Sequence, residues 1–175
     1  MAKKVKIKKT LVEQILTKAG INHTGIHINA LEGELPSEYD RTHIFKTLAL
    51  LGDKTGPIIG IVPITEHLAE KKLAKVSGNK KVSMIPQKDL EKTTGYIHGA
   101  NNPVGIRQKH NYPIFIDQTA LDLDKMIVSA GEVGHSIIIR PQDLASFVKA
   151  DFADILEKNN WWNSTLSVMV CLLYT

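Results

Sequence analysis

The run Phe45–Leu51, FKTLALL, constrains this chain most, because as a strand it is apolar on both faces. Alternation puts Lys46 with Leu48 and Leu50, and sets Phe45, Thr47 and Ala49 on the opposite face. Such a strand has to be covered from both sides, which calls for a layered domain rather than a sheet with one wet face. Lys46 is the anomaly in it. An ammonium among apolar neighbours needs either a path to water or a polar group to grip, such as a carbonyl or a phosphate. The residues alone leave both readings open: a lysine near a strand end that reaches water along its stem, or one that lines a pocket.

The flanking segments supply the layers. Thr10 and Glu13 have capping-box spacing ahead of an apolar face of Leu11, Val12, Ile15, Leu16 and Ala19, which predicts a helix stopped by Gly20. A short strand is expected at 26–28, then a loop over 31–40. After a turn at 52–56, Pro57–Val62 reads as a buried strand. A helix is expected from Thr65 to Gly78, a strand over 82–85, and a short helix from Pro86 to Gly95. The segment 96–106, rich in Gly, Asn and Pro, reads as irregular. Strands are expected at 114–117 and 126–129, and a hairpin turn at 130–134 leads into a strand at 135–140. Pro141 opens a last helix expected to reach about Ile155. Irregular alternation of this kind predicts a single α+β domain with a mixed sheet. We set the domain at residues 1–155, with 156–175 as a tail whose role the sequence leaves undecided.

A length of 175 residues suits one domain with a genuine core. No apolar run approaches the ~20 residues of a membrane span. The basic start MAKKVKIKK lacks the apolar region of a secretory signal, so the expected location is the cytoplasm, with no membrane partner. The single cysteine, Cys171, rules out an internal disulfide and a cysteine-based zinc site. His23 and His27 are four apart but flank Gly25 next to an expected strand, so no metal and no cofactor is expected. Three basic clusters, Lys3–Lys9, Lys71–Lys81 and Arg107–His110, suit a phosphate backbone or simply a solvated surface. Aromatic residues do not interleave with them, which argues against base-stacking recognition of single strands.

Two glycine-bearing loops, GANNPVGI (99–106) and SAGEVG (129–134), could bring backbone N–H groups to a ligand oxygen, or could be ordinary turns. Neither is a phosphate-binding loop, since no Gly-Lys-Ser/Thr follows, and SAGEVG has too few glycines for a dinucleotide fingerprint. No Gly-x-Ser-x-Gly elbow anchors a hydrolase triad.

From FKTLAL onward the chain resembles the YbaK/prolyl-tRNA-editing domain family. IIGIVP, EKKLAKVSG, MIPQKDLEKTTGYIHGANNPVGI, PIFID, MIVSAGEVG and PQDL follow in the family's order, and the likeness covers roughly Lys9 to Ile155. The resemblance implies a mixed, curved, barrel-like sheet with helices packed outside. It implies a free-standing aminoacyl-tRNA deacylase, with clearance of cysteine from tRNA for proline as the leading expectation. The ligand would be the aminoacylated 3′ end of tRNA, and prolyl-tRNA synthetase a candidate partner. Lys46 falls on the family's essential lysine and Ser129 on the serine of its strand-turn, so these two are the expected catalytic residues. Thr47, Gly99, Ala100, Pro103, Gly105 and Gly131 are the expected substrate contacts.

Departures from the family pattern concern the substrate more than the reaction class. Ala100 stands where a second glycine is common, and Glu132-Val133 where Arg-Arg is common. A tyrosine often found after the first helix has no match near His27. Alternatives on the same fold are a deacylase for another amino acid such as alanine, a non-enzymatic regulatory protein, and a basic RNA-binding domain.

Overall fold

The computed structural model describes residues 8–28 and 35–158. Helix α1 (Leu11–Lys18) starts as its sequence requires: Glu13 N–H donates to Thr10 Oγ1, and Thr10 N–H donates to Glu13 Oε2 at 2.8 Å. It buries Val12 and Leu16 and is followed by Gly20 at φ +72°. Strand β1 (His23–His27) comes next, and β2 (Phe45–Gly52) and β3 (Gly56–Pro63) form a hairpin turning on Gly56 at φ +71°.

Helix α2 (Glu70–Ser77), β4 (Val82–Met84), α3 (Gln87–Thr94) and α4 (Pro103–Lys109) then precede β5 (Ile114–Asp117). Strands β6 (Met126–Ser129) and β7 (His135–Ile139) are an antiparallel hairpin, as the glycine turn between them implies, and α5 (Pro141–Val148) and β8 (Asp151–Ala153) follow.

The strands make two sheets: β4-β2-β3-β5-β8, mixed, with β5 parallel to both β3 and β8, and β1-β7-β6, antiparallel. One parallel bridge, Ile44 to Ile127, joins them, so the surface curves without closing into a barrel. The β2–β3 ribbon is covered on both faces, as FKTLALL demands. Ala49, Ile59 and Ile61 pack on one side with Val12, Leu16, Val104, Leu144 and the β6–β7 aliphatics. Leu50, Ile58 and Val62 pack on the other with Leu73, Ala74 and Val82. Each fully buried Val, Leu or Ile among them stabilises the fold by about 1.5–3 kcal/mol before entropy is counted.

Three expectations are corrected. The last helix ends at Val148 rather than near Ile155, because Lys149 takes a left-handed conformation (φ 55°, ψ 48°) and 151–153 fills the open edge of β5. The second helix begins at Glu70 rather than Thr65, because Leu68 bridges Leu156 and Ala69 N–H donates to Ile155 C=O. The segment 96–106 is not irregular throughout: Asn102 Oδ1 caps the N–H of Gly105 at 2.6 Å and Pro103 occupies the first turn of α4. The proposed tail lies outside the described residues from 159 onward.

Candidate functional site

The cavity of about 440 Å³ opens where the two sheets separate. Its floor is β2, which contributes Phe45 to Ala49 with Ile44 before it. Val128, Ser129, Gly134, His135 and Ser136 of the β6–β7 hairpin form one wall. Met84, Ile85, Gln87 and Leu90 form the opposite one, and the loop carrying His98, Gly99 and Asn101 reaches the mouth. A pocket of this size lies within the roughly 300–1,000 Å³ range of small-molecule sites.

Lys46 is half-buried on that floor, directly paired with Val62 of β3. It forms no ion pair among the described residues, and no carboxylate among them lines the cavity. The charged group of the site is therefore a single ammonium in mostly apolar surroundings, where its pull on a carbonyl or phosphate oxygen is stronger than in water. Thr47 next to it is buried, and its Oγ1 has no hydrogen-bond partner among the described residues.

Ser129 is fixed by its turn: its Oγ accepts the N–H of Gly131 at 3.2 Å, while Ala130 N–H donates to His135 C=O at 2.9 Å. The loop after α3 is equally well tied. The buried Thr94 Oγ1 accepts the N–H of Tyr96 at 3.1 Å and lies 2.9 Å from Asn101 Oδ1, and Ala100 C=O accepts from Asn102 Nδ2 at 3.1 Å. Gly99 sits at φ +87°, open to glycine without strain.

Of the residues singled out in the sequence, Lys46, Thr47, Gly99 and Ser129 come together on the cavity wall. Ala100 is buried behind it, and Pro103 and Gly105 lie in the buried first turn of α4. Gly131 packs near Val12 and Asn102. These four shape the loops rather than the lining. The cavity adds residues the sequence did not single out, chiefly Ser136, His98, Asn101 and His135. Ser136 had a signal, a polar residue leading into the apolar run III; the others became site residues only through long-range packing.

The basic clusters divide on inspection. Arg107 donates through Nε to Val148 C=O and through Nη1 to Asn111 Oδ1, and burial pushes its guanidinium below its ordinary value. Lys109 lies 4.8 Å over the Tyr96 ring, and His110 stacks on Tyr112. That cluster is employed in the fold. Lys71, Lys75, Lys80 and Lys81 are exposed, whereas Lys72 pairs with Asp154 at 2.8 Å.

The fold and cavity together define an α+β domain with a small-molecule-sized cavity at a split sheet and one lysine as the charged group of its lining. Solved structures share this fold. A proposed trans-editing enzyme for prolyl tRNA synthetase superposes with a TM-score of 0.66 at 21% identity, covering 84% of this chain and 95% of that one. The hypothetical protein APE2540 gives 0.71 at 20% identity, covering 83% and 99%. In sequence, the chain is 43% identical over 119 residues to the proposed Cys-tRNA(Pro)/Cys-tRNA(Cys) deacylase EbsC of Enterococcus faecalis, across 68% of this chain and 71% of that protein. The family model for the aminoacyl-tRNA editing domain matches residues 36–147. The chain belongs to the aminoacyl-tRNA editing domain family.

Proposed function

We propose that this protein is a trans-acting aminoacyl-tRNA deacylase that clears mischarged tRNA, with Cys-tRNA(Pro) as its principal substrate. The observation that carries the reading is Lys46, the one charged side chain on the floor of an otherwise mostly apolar cavity sized for an aminoacyl group. The relative named as a Cys-tRNA deacylase supports the choice of amino acid.

An aminoacyl ester is already activated, so orientation and carbonyl polarisation supply much of what catalysis needs. Lys46 positions the 3′ end and polarises the ester, Ser129 seats the amino-acid portion, and the Gly99 loop closes over the terminal adenosine. With cysteine, the substrate's own thiol attacks its carbonyl carbon. A C–S bond forms, the ester C–O bond breaks, and the thiol proton leaves on the 3′ oxygen, giving a cyclic thioester and free tRNA. Thr47, Ala100, Pro103, Gly105 and Gly131 contact the substrate directly or hold the loops that do. The cytoplasm is where such a substrate is met, and prolyl-tRNA synthetase, the source of the mischarged product, is the partner we would test for association.

The test is release of label from Cys-, Ser- and Ala-tRNA by wild type and Lys46→Ala. Rapid loss from Cys-tRNA alone, abolished in the variant, is expected. Serine released as fast as cysteine would rule out thiol assistance, and no release from any of them would rule out the deacylase reading.

A further inference from the structure

Six consecutive residues, Ile44 to Ala49, line the cavity. A strand that shows a face contributes alternate residues; one that contributes an unbroken run shows its edge. The hydrogen-bond phase of β2 identifies which backbone groups that edge carries. On the β3 side, Ile64 N–H donates to Ile44 C=O at 2.9 Å, so even-numbered residues of β2 bond to β3. On the other side, Ile85 N–H donates to Ala49 C=O and Asp53 N–H to Lys81 C=O, both at 3.1 Å, so odd-numbered residues face β4. β4 pairs only with Leu50 to Gly52, and Pro86, which lacks an N–H, then turns the chain into α3. At the opposite end, the bridge to β6 is made by Ile44, just before β2, with Ile127, and the ladder between the two strands goes no further. Thr47 lies between these two pairings, with its N–H and C=O on that edge and no strand paired with them among the described residues.

Backbone groups left unpaired in a cavity wall are ready hydrogen-bonding partners for a ligand. Thr47 Oγ1 is inaccessible, so the polar atoms this residue offers the cavity are those of its backbone. We propose that the open edge at Thr47 binds the aminoacyl group as a one-residue antiparallel strand, its C=O accepting from the substrate's α-ammonium and its N–H donating to the ester carbonyl. An α-amino ester carries those two groups on one carbon, as a strand residue does. No carboxylate is among the described lining residues, so an ammonium there meets neutral acceptors, and the Thr47 C=O is the one placed at the open edge. Directly opposed residues of an antiparallel pair put their side chains on the same face. The substrate side chain then enters the chamber of Phe45, Ala49, Leu90 and Val128, which line the cavity and belong to the main core. That chamber is apolar and bounded, suited to a small side chain.

This inference rests on the deacylase reading, and the experiment separates the two. Cys-tRNA and 3-mercaptopropionyl-tRNA, which keeps the thiol and ester but lacks the amine, are compared as enzymatic over spontaneous rates. Loss of a charge-assisted hydrogen bond lowers that ratio by roughly tenfold or more for the amine-free ester. In parallel, the ¹⁵N-labelled protein is titrated with 3′-deoxy-3′-(L-cysteinylamino)adenosine, whose amide resists cleavage. The Thr47 amide proton is expected to move downfield and its hydrogen exchange to slow. Equal rate ratios, or ligand-induced shifts at Gly99 and Ser129 with Thr47 unmoved, would overturn the edge-binding inference alone. No cleavage of Cys-tRNA would overturn the deacylase reading and this inference with it.

Discussion

Ser129 and Ser136 are direct cross-strand partners in the β6–β7 hairpin, and both line the cavity above Lys46. Their situations differ. Ser129 Oγ is committed to the Gly131 N–H, whereas Ser136, only 5% exposed, makes no side-chain hydrogen bond among the described residues. Ser136→Ala is therefore expected to leave thermal stability nearly unchanged while lowering kcat/KM about three- to tenfold, the worth of one neutral hydrogen bond to substrate. Ser129→Ala should lower both, losing roughly 1 kcal/mol of stability with its turn bond. Equal activity of wild type and Ser136→Ala would remove that residue from the site.

Gly105 has a different task. An added Cβ would lie 1.8 Å from Tyr96 Oη and 2.4 Å from its Cζ, so Gly105→Ala has to displace the tyrosine ring. Tyr96 begins the loop that carries His98 and Gly99 to the cavity mouth. We expect a destabilisation of about 1–3 kcal/mol in chemical denaturation and a raised KM. Wild-type values of both would show that α4 and this loop are not coupled through Tyr96.

Arg107 tests whether a basic cluster in the sequence is a phosphate site. Its guanidinium bonds Val148 C=O at the end of α5 and Asn111 near the end of α4. Arg107→Ala should cost about 1–3 kcal/mol of stability through the orphaned carbonyl, with KM for aminoacyl-tRNA unchanged at temperatures where the variant is folded. A raised KM at full stability would return Arg107 to the RNA interface.

Asp154 gives a pH-dependent prediction. The hydrogen bond from Lys72 holds its carboxylate below the ordinary 3.8. Because the folded-state value is the lower one, the pair contributes stability above the unfolded value, and the contribution disappears as the pH falls through the folded one. In Lys72→Ala the NMR titration midpoint of Asp154 should rise towards 3.8, and the small gap in Tm between variant and wild type should close in acid. An unmoved midpoint would mean that the ion pair is not formed in solution.

Much of this was legible from local chemistry. The capping box at Thr10, the glycine hairpin at 130–134 and the doubly buried β2 all follow from rules that act within a few residues. What failed to show was decided at long range. Residues 151–153 continue a helical pattern until β5, more than thirty residues earlier, offers them an edge. Asn102-Pro103 did carry a helix-start signal, hidden by the Gly and Asn around it. The site divided in the same way. Lys46 stood out because a lysine is costly in an apolar strand, whereas His98, His135 and the open edge at Thr47 emerged only when the two sheets separated around them.

The central claim is that Lys46 acts on the ester, and single-turnover deacylation of Cys-tRNA(Pro) by folded Lys46→Ala tests it most directly. Removing an ammonium that polarises the ester in a mostly apolar cavity should slow cleavage by about a hundredfold, with the circular dichroism spectrum and Tm little changed. A cleavage rate equal to wild type would contradict the account.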